Sequence, residues 1–242
     1  MDFLRIRNGK VIDEDGAEAR LRGTCVGGWM NLENFINGFP GVEYTLRQTM
    51  TDMLDPEMSA FFFDRMADYF FSKEDVRFIR ERGANVIRLP INYRRLESDD
   101  PPFQYKESGF RKLENIINLC GEQGLYVILD LHSVQGWQNP DWHCDNPTRY
   151  GLFWQHPHFQ DRFVALWEEI ARRFGGYPAV AGYNIMNEPV TSSVYSRFGF
   201  GENPDWGLLN RVYRRVVEAV RKIDPRHIII LEGDVFSQMF KG

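Results

Sequence analysis

The sequence predicts an α/β fold: a partial TIM (β/α)8 barrel of about five parallel strands, preceded by an N-terminal β-hairpin. Short apolar, β-branched segments alternate with amphipathic helical segments along the 242 residues. Polar residues recur where these strands end, and the carboxyl ends of parallel strands form one edge, where ligands bind. No linker-like stretch interrupts the pattern, so we expect a single domain over residues 1–242 that lacks the C-terminal part of the barrel.

Local signals place the elements in order. The turn signal Asn8-Gly9 separates two short strands, and the first strand of the sheet is expected at 21–26. A long aromatic loop is expected to reach Pro56, where a helix begins, and Ser72 and Gly83 are typical of the two ends of a second helix. The remaining elements are expected as strands at 85–90, 125–132, 181–188 and 227–233, and as helices at 111–124, 161–176 and 206–224.

Composition and charge exclude several classes of function. The net charge is −5 and no basic run occurs, so nucleic acid is not an expected partner. No apolar run approaches the roughly 18 residues of a membrane span. The N-terminus lacks the layout of a secretory signal, and three distant cysteines (Cys25, Cys120 and Cys144) show no metal-ligand spacing. These features favour a cytoplasmic protein with reduced thiols, although a chain whose signal peptide had been removed would look the same.

Four consecutive strands end on polar side chains: Arg88, His132, Asn187 with Glu188, and Glu232 with Asp234. One such residue is usually only solvated or bonded to a loop, so the repetition at one edge is what indicates a functional site. Strand periodicity separates Asp130 and His132 from the aliphatic face formed by Val127, Leu129 and Leu131. We therefore expect Asp130 and His132 to face the mouth of the barrel.

The loop after His132 carries aromatic residues that suit a carbohydrate. Rings such as Trp137 and Trp142 can stack on the C–H faces of sugars, or they can serve only to pin a long loop to the barrel rim. The neighbouring His143 and Cys144 have no partners at metal-ligand spacing, so no metal site is expected.

The strand sequences resemble a known family. NVIRLP, LDLHS, YNIMNEP and IDPRHIIILEG look like strands two to five of glycoside hydrolase family 5, the cellulase family of clan A. RGTCVGGW, with the acidic-aromatic loop after it, is similar to the first strand of the exo-β-1,3-glucanase-like members. The resemblance implies a retaining hydrolase of β-glucan or a related β-linked glycoside. Such an enzyme needs two carboxylates and water and no cofactor.

The resemblance also implies roles for individual residues. Glu188 would be the general acid/base, and Asn187 would hold the 2-hydroxyl of the cleaved sugar. Arg88 would steady the ionised nucleophile, and His132 would belong to the hydrogen bonds around the sugar. Glu232 is a further substrate-binding candidate, together with the two tryptophans of the loop.

The family takes its nucleophile from strand seven, whereas this sequence reaches only strand five. We therefore expect no nucleophile within the chain, although Glu232 or Asp234 could conceivably replace it. An open barrel also leaves edges uncovered, so the alternative is a self-assembling homo-oligomer that binds carbohydrate with little hydrolysis. A scaffold without carbohydrate function is the third possibility. The sugar and the linkage stay open.

Overall fold

The computed structural model describes residues 1–194 and 204–241 and contains one five-stranded parallel sheet. An antiparallel hairpin, β1 with β2, precedes it, and the sheet follows chain order from β3 to β7. The strands are β1 (Arg5–Arg7), β2 (Lys10–Ile12), β3 (Gly23–Cys25), β4 (Val86–Asn92), β5 (Tyr126–Ser133), β6 (Val180–Asn184) and β7 (Ile228–Ile230). The predicted parallel, sequential sheet is confirmed.

Helices connect these strands. They are α1 (Asn34–Asn37), α2 (Glu43–Leu54), α3 (Pro56–Phe70), α4 (Lys73–Glu81), α5 (Glu107–Glu122), α6 (Pro157–Phe174) and α7 (Trp206–Ile223). The predicted cap of α4 is confirmed, because the Ser72 hydroxyl accepts a hydrogen bond from the backbone N–H of Asp75 at 3.4 Å. None of the described helices combines the length and the apolar character needed to cross a lipid bilayer.

The prediction of one long loop before Pro56 is wrong, because the segment contains α1 and α2. Thr45 and Thr51 are weak helix formers, so local propensity did not indicate α2. The buried Glu43 carboxylate at the first turn of α2 lies 2.7 Å from Arg47 within the helix and 3.1 Å from Arg95, which is distant in sequence. Tertiary contacts therefore override local propensity in this segment.

Two strands end earlier than predicted. β6 stops at Asn184 and not at 188, and β7 stops at Ile230 and not at 233. The chain beyond β6 still contacts its neighbours, since the backbone N–H of Ile185 bonds to Ile230 O at 3.0 Å. The regular ladder does not continue, so Glu188 lies in a loop just past the strand.

The main core packs helices against the central strands. Trp167 of α6 is completely buried and donates its indole N–H to Ile185 O at 2.9 Å. Leu129 and Leu131 of β5 are also completely buried, as predicted for the aliphatic face. By contrast, all three residues of β3 are exposed, so this edge of the sheet is open in the described chain.

The N-terminal segment closes the end of the sheet opposite the predicted site. Tyr126, at the start of β5, donates its hydroxyl to Asp2 O at 3.2 Å. The Phe3 ring packs edge-on against His227, just before β7, with 5.3 Å between ring centroids. Both contacts lie at the amino ends of strands, so the residues just before the hairpin cover this end of the sheet.

A buried polar cluster fastens β6 to β7. The Tyr183 hydroxyl donates to Asp224 Oδ2 at 2.6 Å, and His227 Nδ1 hydrogen-bonds to the same carboxylate oxygen. Burial opposes ionisation of Asp224, but the hydrogen bonds from His227 and Tyr183 outweigh it and hold the pKa of this carboxyl below its ordinary value.

We expect Tyr183→Phe to lower the free energy of unfolding by about 1–3 kcal/mol at neutral pH, because Asp224 loses a donor. A carboxyl whose folded pKa is depressed stabilises the fold above its unfolded pKa of about 4, and that stabilisation is lost as the pH falls. The difference between variant and wild type should therefore shrink in acid. Urea unfolding at several pH values measures it, and Tyr126→Phe, with its half-buried hydroxyl, is the matched control. Equal losses in both variants would contradict the special role of the cluster.

Candidate functional site

Arg88, on β4, joins four elements at the carboxyl edge of the sheet. Its Nη2 lies 3.0 Å from Asp130 Oδ2 and donates to Asn187 Oδ1 at 2.8 Å. Its Nε donates to Asn184 Oδ1 at 3.0 Å, and Nη2 also lies 3.2 Å from Glu232 Oε1. One guanidinium therefore ties the ends of β5 and β6 to the loop after β7.

His132 completes this layer from β5. Its Nδ1 lies 2.7 Å from Asp130 Oδ2, so the buried carboxylate binds both His132 and Arg88. Its Nε2 lies 3.4 Å from the side-chain nitrogen of Asn187. The periodicity of β5 predicted that Asp130 and His132 face the mouth, and the structure brings them together there with Arg88 and Asn187.

Glu188 has an unusual backbone conformation. Its φ is +47°, in the left-handed region, and Pro189 follows it. A residue before proline is sterically restricted, and left-handed backbone is costly for a side chain other than glycine. Two side chains hold this conformation: Glu232 Oε2 accepts the Glu188 N–H at 2.8 Å, and Asn139 Nδ2 donates to Glu188 O at 2.9 Å. The backbone of Glu188 is therefore held on both sides of its Cα atom.

The Glu188 carboxylate lies next to His143, with 3.0 Å between Oε2 and Nε2. The hydrogen bond from His143, reinforced by its charge, outweighs burial and lowers the pKa of Glu188. His143 Nε2 also lies 3.1 Å from Asn139 Nδ2. Because an amide nitrogen only donates and a carboxylate only accepts, the proton on Nε2 decides which neighbour His143 bonds to.

Glu33 supplies another carboxyl group to the cleft from the loop after β3. It is 8% exposed, and its Oε1 lies 3.8 Å from His132 Nε2. Burial raises the pKa of Glu33, against the opposing charges of His132 and His143. Glu188 and Glu33 therefore have pKa values shifted in opposite directions within one cleft, an arrangement typical of functional sites.

Glu232 and Asp234, the two sequence candidates after β7, are both engaged by protein groups. Glu232 accepts the Glu188 N–H and the Ser237 hydroxyl with Oε2, and it meets Arg88 with Oε1. Asp234 is completely buried and accepts the backbone N–H of Thr191 at 3.0 Å. Glu232 thus positions the backbone of Glu188, and Asp234 fixes the loop that follows it.

The two loop tryptophans lie in different surroundings. Trp142 is half-buried, and its ring meets the exposed Phe35 edge-on with centroids 5.2 Å apart and His143 at 5.5 Å. Trp137 is half-buried at φ +61°, with the Arg94 guanidinium 5.8 Å from its ring centroid. Trp142 therefore forms an aromatic wall beside the Glu188–His143 pair, whereas Trp137 packs toward Arg94.

Sequence reasoning missed three residues of this site: Glu33, Asn139 and His143. His143 was considered only as a metal ligand, and its contact with Glu188 joins two loops that are 45 positions apart in the sequence. Asn139 contacts Glu188 through a backbone oxygen, which no sequence pattern encodes. Only the acidic-aromatic character of the loop after β3 pointed toward Glu33.

Known proteins resemble this chain in sequence and in fold. Residues 49–242 match the model of the Cellulase family, glycosyl hydrolase family 5. A protein named Beta-xylosidase from Phanerodontia chrysosporium is 42% identical over 240 residues, which are 99% of this chain and 48% of that protein. Probable glucan 1,3-beta-glucosidase A from Aspergillus fumigatus is 28% identical over 234 residues, 92% of this chain and 52% of that protein.

A crystal structure of endogalactoceramidase superposes with a TM-score of 0.68 over 97% of this chain and 54% of its own; at 19% identity it shows a shared fold alone. The chain spans about half the length of the curated relatives it matches. The family expected from the four strand sequences is confirmed by the model match and by the 42% identical relative. The chain belongs to glycosyl hydrolase family 5.

Proposed function

We propose that this chain carries the acid/base half of a retaining glycosidase site that acts on β-glucan or a related β-linked glycoside. Glu188 is the general acid/base: it protonates the departing glycosidic oxygen and then, as a carboxylate, activates the water that releases the sugar. The observation that carries this proposal is the clamped, left-handed backbone of Glu188, whose carboxylate lies against His143 and is close enough to His132 and Arg88 for their charges to act on its pKa. Strain kept in place by surrounding groups is typical of a functional position.

The surrounding groups suit a sugar ring. Asn187 accepts from Arg88 with its oxygen, which leaves its side-chain N–H groups for His132 or for a substrate 2-hydroxyl. Glu33, whose pKa is raised by burial, can accept from a sugar hydroxyl when ionised and donate to one when protonated. Trp142 and Trp137 are the proposed stacking residues at the rim. A neutral, hydroxyl-rich ligand fits this mixture of amides, carboxyls and aromatic rings.

The nucleophile of the retaining reaction is proposed to lie outside residues 1–242. Retaining glycosidases hold their two carboxyl groups about 5–5.5 Å apart on opposite faces of the sugar. Glu232, the candidate after β7, is committed to the Glu188 N–H, Arg88 and Ser237 and is poorly placed to attack. We therefore propose that residues 1–242 alone bind β-glycosides but turn them over slowly.

Self-association is a second proposal, because the open edge of the sheet favours it. β3 is exposed at all three of its residues, and Phe240 after β7 is 74% exposed. Unpaired strand edges promote pairing with another chain. A homo-oligomer that covers these edges would bind carbohydrate without needing a complete catalytic centre.

Glu188→Gln should slow hydrolysis about 100-fold or more for substrates with poor leaving groups, because these need a proton from the acid. The loss should be smaller for 2,4-dinitrophenyl β-xyloside or β-glucoside, whose leaving group needs no proton, and azide should restore release of the enzyme-bound sugar. The assay uses any polypeptide containing residues 1–242 that shows turnover. Glu122→Gln, on an exposed residue at the end of α5, is the matched control. Unchanged rates on both classes of substrate would remove Glu188 from the role.

His143→Gln should raise the pKa of the Glu188 carboxyl, because the largest cause of its lowering is the hydrogen bond from His143. The ¹³C chemical shift of the glutamate Cδ, assigned with Glu188→Gln, reports this titration without any need for turnover. In an active polypeptide the alkaline limb of the pH–rate profile, where the general acid loses its proton, should move to higher pH. A Glu188 titration that is identical in wild type and His143→Gln would contradict the pairing.

The chain of 242 residues should self-associate in solution. Light scattering over a concentration series measures the mass, and Thr24→Lys, which places a charge on the exposed β3 edge, should shift the equilibrium toward monomer. Thr148→Lys, at an exposed position in the loop after the central strand β5, is the control. A monomer at all concentrations would contradict the proposal.

A further inference from the structure

A second cavity is rich in cationic side chains, and it shares no lining residue with the Glu188 cleft. It has a volume of about 600 Å³ and lies between the α2–α3 helix pair, the segment after β4 and the start of α5. The cations that line it are Arg47, Arg94, Arg95, Lys106 and Lys112. Asp64 is the only acidic residue among the lining residues of the described chain.

Most of these cations are paired with carboxylates around the cavity: Arg94 pairs with Asp99 and Asp145, and Lys112 pairs with Asp64 and Asp68. Arg47 and Arg95 both pair with one carboxylate, Glu43, at 2.7 and 3.1 Å. Lys106 is exposed at the cavity and donates to the backbone oxygen of Arg94 at 2.8 Å; within the described chain it makes no ion pair. Burial lowers the pKa of Arg95 to about 10, against the opposing charge of Glu43. Within the described chain the buried Nε of Arg95 has no hydrogen-bond partner, so this donor is left for an anion.

The start of α5 adds a second source of positive potential. α5 is 16 residues long, and its N-cap residue, Lys106, gives no side-chain hydrogen bond to the first turn. The first N–H groups of a helix carry partial positive charge and bind anions. Gly109 lets this turn approach closely, because a Cβ there would lie 1.9 Å from Arg95 O. The helix end is thus held against the arginine-bearing segment.

The other wall of the cavity is apolar. Met30, Phe61 and Phe63 line it with two alanines of α3, and the Phe61 side chain is 59% exposed. The Arg47 guanidinium stacks on the Phe63 ring at 3.8 Å from its centroid, so charge and aromatic surface adjoin. A ligand that matches both walls has an anionic group at one end and an apolar or aromatic body at the other.

We propose that this cavity binds a small organic oxyanion, a phosphate or carboxylate on an apolar body, with the anion at the start of α5 and the body against Phe61 and Phe63. The site is separate from the glycosidase cleft, and its occupancy does not depend on hydrolysis.

Calorimetric titration of the 242-residue chain with phenyl phosphate and with phenylacetate tests the proposal and distinguishes the two anion classes. Inorganic phosphate and neutral benzyl alcohol probe the two walls separately, and each should bind more weakly than the compound that combines them. Amide shifts in ¹⁵N NMR should change at Ser108 and Gly109, which line the cavity.

The double variant Lys106→Gln/Lys112→Gln should bind the better anion about tenfold more weakly, because it loses two charged donors whose contribution water replaces only in part. Lys73→Gln, an exposed lysine outside the cavity, should bind like wild type. Thermal unfolding confirms that both variants are folded. Absence of binding to wild type, equal affinity in the double variant, or shifts centred on His132 and Asn187 would each overturn the proposal.

Discussion

The arrangement of the carboxyl edge depends on one cation. Arg88 is placed by β4, and its guanidinium binds Asp130 of β5, the two asparagines at and beyond the end of β6, and Glu232 after β7. Asp130 is fully buried and would keep only its hydrogen bond with His132 if the arginine were removed; breaking a buried ion pair typically costs about 3–5 kcal/mol. A single planar donor with five N–H groups can bind acceptors from β5, from β6 and from the segment after β7 at once, which a lysine could not do. The register of the sheet and the geometry of the cleft are therefore fixed by the same side chain.

The conformation of Glu188 follows from this arrangement. A left-handed residue before proline costs on the order of 1–3 kcal/mol, which the surrounding structure must offset. Glu232 makes the connection, because one of its oxygens bonds to Arg88 and the other accepts the Glu188 N–H. Asn139 holds the carbonyl group of the same residue. The arginine thus acts on the proposed acid/base through a carboxylate that sequence reasoning had assigned to the substrate.

The sequence predicts the parts of the structure that local patterns encode. Apolar, β-branched runs between helices predicted five parallel strands in chain order, and their polar ends predicted the cleft around Arg88 and His132. The helix at 43–54 was missed, because one of its buried contacts, the ion pair of Glu43 with Arg95, joins it to a residue far along the chain. His143 and Asn139 were missed as partners of Glu188 for a similar reason: both act from an irregular loop whose path is set by tertiary hydrogen bonds. Periodicity carries no information about such a path.

The pKa of Glu188 links this geometry to the proposed reaction. A general acid works best when its pKa lies near the working pH, whereas the imidazole of His143 moves the pKa of Glu188 downward. A carboxylate on the far side of the sugar would raise it again, and that effect disappears once the nucleophile is bonded to the sugar. His143 would then favour the ionised form at the step where Glu188 must act as a base. Asn139, 3.1 Å from the same ring nitrogen, offers His143 another hydrogen bond when Glu188 keeps its proton. The paired loops after β5 and β6 can therefore accommodate both protonation states of the acid without moving the strained backbone that presents it.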